Sequence, residues 1–136
     1  MDKIFNAISI IGGIAGGICV SIFGGWDAMI WALMVCMVFD YISGIMKAVY
    51  NKELSSEVGY KGLLRKISIL IVVGLSNVVQ IFVGENIPIR DIVIVFYVVN
   101  EGISILENVA VIYPQIPDKL KDTLLQLRGD NDENRN

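Results

Sequence analysis

Four long apolar runs, separated by short polar stretches, dominate the pattern of this chain. They cover about residues 4–25, 28–50, 67–84 and 92–113, each roughly 18–23 residues long. At about 1.5 Å per helical residue, such a run matches a hydrocarbon core of about 30 Å. Membrane-spanning strands would instead need alternating segments of about ten residues, and none is visible. The pattern predicts an all-α, polytopic membrane protein: about four transmembrane helices in two hairpins, joined by a loop at 51–66. A three-crossing form, with the glycine-rich first run lying on or partly in the membrane, is the alternative. Lys3 ahead of an apolar run also fits a secretory signal, although the run is long for a signal h-region.

The pattern changes after Tyr113. Pro114 and Pro117 end the fourth run, and Ile116, Leu120, Leu124 and Leu127 then recur at helical spacing with Lys and Asp opposite. This predicts an amphipathic helix within 114–128, suited to the inner membrane interface or to a partner helix. The tail at 129–136, "GDNDENRN", has no apolar residue to bury and is expected to be disordered.

Composition supports the membrane class. Of 136 residues, 54% are hydrophobic and 18% charged, against about 25% charged in a soluble domain. There is no histidine, which excludes a histidine-bearing metal site and a histidine-based catalytic triad. Cys19 and Cys36 lie in separate apolar runs without CxxC spacing, as expected for small buried thiols. The "GGIAGG" stretch lacks the Gly-Lys-Ser/Thr ending of a phosphate loop. No cofactor, metal or nucleic acid is therefore expected.

Charge adds an orientation. If all four runs cross, Lys3, Lys47, Lys52, Lys61, Arg65, Lys66, Lys119, Lys121, Arg128 and Arg135 share one side, and Arg90 alone takes the other. The positive-inside rule then puts both termini and the 51–66 loop in the cytoplasm. Trp26 and Trp31 fall at the outer interface.

The candidate chemistry is the set of polar residues inside these runs. At 100° per residue, Asn100, Glu101, Ser104, Glu107 and Asn108 fall on one broad face of the fourth helix. Asp40, Ser43, Gly44 and Lys47 share an arc of the second helix, and Ser76, Asn77 and Gln80 share one on the third. Counting from the outer ends, Asp40 lies about 18 Å deep, Glu101 about 14 Å and Glu107 about 23 Å. A charged group at a helix centre costs about 2.5–3.5 kcal/mol on insertion scales. These three carboxylates must therefore be protonated, hydrogen-bonded across helices, or in water. Lys47, near the inner margin, is the one basic side chain assigned to these faces. On the first helix Ser9, Gly12, Gly13, Gly16 and Gly17 form a small-residue face of the kind that packs helices closely, as Gly44 does on the second. Hydrogen-bond glue within one bundle would account for part of this set. Self-association around a polar lumen accounts for all of it.

Four elements in order resemble the toxin-secretion/phage-lysis holin family. They are "FDYISGIMKA" (39–48), "SSEVGYKGLLRK" (55–66), "NEGISILEN" (100–108) and "YPQIPDKLKDTL" (113–124). The resemblance implies a non-enzymatic, phage-encoded protein of the bacterial cytoplasmic membrane. It would assemble with itself into lesions that release an endolysin, or in some relatives a toxin. Two other classes fit the residues: a small proton or cation channel or transporter subunit using Asp40 and Glu101, and a membrane anchor recruiting a partner through its C-terminal helix.

Overall fold

The computed structural model describes residues 1–129, so the 129–136 tail lies almost wholly outside the described residues. Five helices follow in chain order: α1 (Asp2–Ile22), α2 (Ala28–Tyr50), α3 (Ser56–Val83), α4 (Ile89–Ile112) and α5 (Asp118–Arg128). Among the described residues there is no strand. The first four helices are each long and apolar enough to cross a membrane.

Local chemistry sets the ends. Asp27 caps α2, its carboxylate accepting from the Ile30 N–H at 3.0 Å. Gly24 and Gly25 turn the chain between α1 and α2 with φ of 79° and 103°. A Cβ at Gly24 would lie 2.5 Å from the Asn77 Oδ1 and 2.9 Å from the Arg90 Nε, so only glycine fits there. Ser55 caps α3 by accepting from the Val58 N–H at 3.2 Å. The helix thus starts at Ser56, about eleven residues before the expected boundary at 67. At 28 residues α3 is about 42 Å long and overshoots a hydrocarbon core of about 30 Å. Gly129, in the left-handed conformation, closes α5.

The core lies between α2, α3 and α4, with α2 and α4 in the most extensive contact. Its apolar centre is Ile30, Leu33, Met37, Ile69, Val73 and Ile94. Followed along α2 toward its C-terminal end, the same stripe passes from Ile30, Leu33 and Met37 to Asp40 and Ser43. On α3 it passes from Val73 and Ile69 to Lys66, and on α4 from Ile94 to Glu101. The apolar centre is therefore flanked by buried polar side chains at both ends, Ser76 and Arg90 toward the α1–α2 turn and Asp40, Ser43, Lys66 and Glu101 toward the other.

One helix departs from expectation. No residue of α1 is buried, and this helix touches the rest only near its C-terminal end, where Ile22 and Phe23 approach Gly74 on α3. Nothing lies within 4 Å of a Cβ built on Gly12, Gly13, Gly16 or Gly17, so this face has no partner among the described residues. Cys19, expected to be buried, is exposed for the same reason. The amphipathic α5 folds back along α4. Gly102 on α4 makes room for it: a Cβ there would be 3.2 Å from the Leu124 Cδ1.

Candidate functional site

A buried ionic cluster sits at the end of the apolar centre away from the α1–α2 turn. Asp40 on α2, Lys66 on α3 and Glu101 on α4 are 7%, 7% and 4% exposed. The Lys66 ammonium donates to both carboxylates, to Asp40 Oδ2 and Glu101 Oε2. Asp40 has further support from Asn108, whose Nδ2 donates to its Oδ1 at 3.2 Å and lies 3.1 Å from the Ser43 Oγ. The Ser43 hydroxyl donates to the Asp40 carbonyl at 3.1 Å. Three helices thus meet at one ammonium.

This corrects the expectation that Lys47 was the one basic side chain on these faces: Lys66 pairs with two of the three carboxylates. Placing the 51–66 segment in a loop hid Lys66. Once Ser55 starts the helix, Lys66, Ile69, Val73 and Ser76 follow at spacings of three and four and share the buried face. Lys66 accordingly leaves the tally of cytoplasmic basic residues. Lys47 is half-buried, and among the described residues its ammonium has no hydrogen bond or ion pair.

The remaining candidates do not all join the cluster. Asn108 and Ser43 do. Ser104 and Asn100 are half-buried on α4, Ser104 lining a cavity beside the cluster. Glu107 is exposed, because six residues after Glu101 turn it about 120° away on the helix. Asn77 and Gln80 serve the end of the bundle at the α1–α2 and α3–α4 turns instead. The Asn77 Nδ2 donates to the Ile22 carbonyl at 3.0 Å, holding the end of α1. The Gln80 Nε2 donates to the Gly84 and Ile87 carbonyls, and its Oε1 accepts from the Arg90 N–H at 3.2 Å.

Arg90, read from sequence only as the lone outer cation, is the centre of that clasp. It is 8% exposed; its Nε donates to the Phe23 carbonyl at 2.6 Å, and its Nη1 to Asp27 at 2.9 Å and Asp91 at 3.1 Å. The Arg90 guanidinium and the Ile30 N–H hold the Asp27 carboxyl below its ordinary range. One side chain thereby ties the α1–α2 turn to the start of α4.

Beside the ionic cluster, toward the C-terminal end of α2, is a cavity of about 380 Å³ between α2, α3 and α4, whose lining includes Asp40, Gly44, Lys47, Arg65, Lys66 and Asn108. Among the described residues no group of His, Cys, Asp and Glu could hold a metal ion. The arrangement offers fixed charge and hydrogen-bond donors rather than a nucleophile and its base. What it can do is fasten three helices and keep polar groups together at membrane depth.

Comparison with known proteins gives this arrangement a context. The bacteriophage holin family matches residues 17–129. A probable holin of Bacillus phage phi105 is 35% identical over 101 residues, covering 74% of this chain and 75% of that protein. An uncharacterized protein of Listeria monocytogenes is 41% identical over 110 residues, covering 81% of this chain and 79% of its own length. A 14.9 kDa protein of Clostridium perfringens is 38% identical over 109 residues, covering 79% and 83%. No solved structure matches the chain significantly. The chain belongs to the bacteriophage holin family and is a multi-pass membrane protein.

Proposed function

From that family membership, we propose that this protein oligomerises in the bacterial cytoplasmic membrane, with both termini on the cytoplasmic side. The oligomer forms lesions large enough to release an endolysin, or a secreted toxin, and does so without enzymatic activity. The family match over residues 17–129 carries the reading.

Three structural features support it. The apolar exterior of α1, with Ile4, Phe5, Ile8, Ile11 and Ile14 at least 60% exposed, leaves a whole helix free for lipid or for another copy. Its Gly12, Gly13, Gly16 and Gly17 face is the one we assign to packing between copies, with Gly44 packing beside Asn108 inside each. The flank built by α4 and α5 also exposes Glu107, Lys119, Lys121 and Asp122. Against hydrocarbon each such charge costs about 2.5–3.5 kcal/mol at a helix centre, so we assign that flank to the water of the lumen. The Asp40–Lys66–Glu101 cluster serves, in this reading, as the fixed joint that keeps α2, α3 and α4 one rigid wall.

The second reading, a proton or cation channel using Asp40 and Glu101, places two anionic groups on an ion path. The Lys66 ammonium bonds both of them, which favours the structural role. Co-expression of the chain with a muralytic enzyme that has no export signal separates the two. A lesion-forming protein lyses the culture when both are present, and the enzyme alone does not. Continued growth with both present overturns the proposal.

A further inference from the structure

The cavity below the ionic cluster is the strongest unexplained feature of the chain. Its volume of about 380 Å³ is in the range of small-ligand sites. Four cations border it, Lys47, Lys61, Arg65 and Lys66, against two carboxylates, Asp40 and Glu53. Lys66 is committed to Asp40 and Glu101. Lys61 pairs at 2.6 Å with Glu57, but both side chains are about 70% exposed, so that bond is weak and exchangeable. Lys47 and Arg65 have no ion pair among the described residues. The cavity therefore holds unspent positive charge around a polar floor of Ser104 and Asn108.

Its position narrows the ligand. It opens between the C-terminal end of α2, the loop at Glu53 and the first turns of α3, beside the ionic cluster. Apolar side chains flank that end, with Tyr50, Leu54 and Leu64 each exposed. An occupant there meets basic side chains at its head and apolar surface beside it. Basic pockets between membrane helices on the positively charged side suit anionic lipid headgroups.

We propose that this cavity is a binding site for a phosphate-bearing anion, supplied by the headgroup of an anionic phospholipid in the leaflet next to the basic end. Lys47 and Arg65 contact the phosphate oxygens, and Lys61 joins them by leaving Glu57. Glu53, a like charge at the rim, opposes binding. The site would let the lipid composition of the membrane bear on the three-helix joint, since Asp40 and Lys66 also line it.

The full chain in mixed micelles, measured by native mass spectrometry, tests this with phosphatidylglycerol and phosphatidylcholine as probes. The parent should retain phosphatidylglycerol in preference to phosphatidylcholine. Lys47→Gln and Arg65→Gln should each weaken retention about fivefold, the factor for one basic residue at a charged membrane surface. Lys47→Arg keeps the charge and should bind like the parent, which separates loss of the site from loss of the fold. Glu53→Gln should bind more tightly. Excess inorganic phosphate distinguishes the sources: no displacement assigns the site to the lipid, and displacement assigns it to a free phosphate anion. Equal retention of the two lipids by the parent, or unchanged retention in both glutamine variants, overturns the proposal.

Discussion

Replacing Lys66 with methionine is the sharpest perturbation this structure offers. Methionine is close in length and keeps the apolar stem of the side chain, so the packing against the α2–α4 pair is largely preserved. The ammonium is lost, and with it the charge that Asp40 and Glu101 share at 7% and 4% exposure. Two neutral interhelical contacts in a membrane, at about 0.6 kcal/mol each, would cost only about 1 kcal/mol. A buried charge left without its partner costs about 3–5 kcal/mol. The second figure applies here, because two carboxylates remain in one desolvated pocket with Asn108 as their chief remaining donor. Lys66→Met should therefore destabilise the three-helix unit by about 3–5 kcal/mol in denaturant titration of mixed micelles followed by far-UV circular dichroism. Asp40→Asn, Glu101→Gln and Lys66→Met combined should recover most of that loss, since no charge is then stranded. Asp40→Asn alone leaves a one-to-one Lys66–Glu101 pair and should be nearly neutral. The reasoning fails if Lys66→Met costs less than about 1 kcal/mol, the neutral-contact figure, or if the triple variant is as unstable as the single one.

The Arg90 clasp has a pH signature. Because Asp27 is held below its ordinary range, its contribution is present above the unfolded value of about 3.9 and is lost as pH falls through the lower folded value; Arg90→Gln should reduce this acid-side loss in a melting-temperature profile, leaving the part due to the Ile30 N–H. Gly102→Val should push Leu124 and α5 off α4, and a short bismaleimide linking cysteines at 99 and 127 should then lose its yield; an unchanged yield would mean Gly102 is not the seat of α5. With Cys19 and Cys36 replaced by alanine, cysteines at Ser56 and Asn131 should react only after the inner face is opened, and one at Asn86 from outside; outside labelling at Asn131 would require an odd number of crossings.

Much of the fold was legible because membrane helices announce themselves by length and apolarity. The second run, read at 28–50, is the observed α2. The third was cut short because charge was taken as a boundary: Lys61, Arg65 and Lys66 looked like loop, although Ser55 is a good N-cap and Glu57–Lys61 is a helical pair. That one boundary concealed the cation on which the cluster depends. Asn77 and Gln80 share a face of α3 with buried Ser76, but their partners are turn carbonyls that no helical projection contains. The broad arc drawn on α4 holds both buried Glu101 and exposed Glu107, at opposite edges, so a helical projection alone does not separate the two carboxylates. The packing of α5 against α4 depends on the gap at Gly102, a long-range fit that local periodicity does not report.

The central claim is that copies of this chain open the membrane to proteins, and sealed vesicles test it directly. Purified chain is added to phospholipid vesicles that hold both a small fluorescent dye and a folded fluorescent protein, and the release of each is followed as the density of chain in the membrane rises. The account predicts that both leave together above a threshold density. Loss of the dye with the protein retained at every density would contradict it and would make the chain an ion-scale channel.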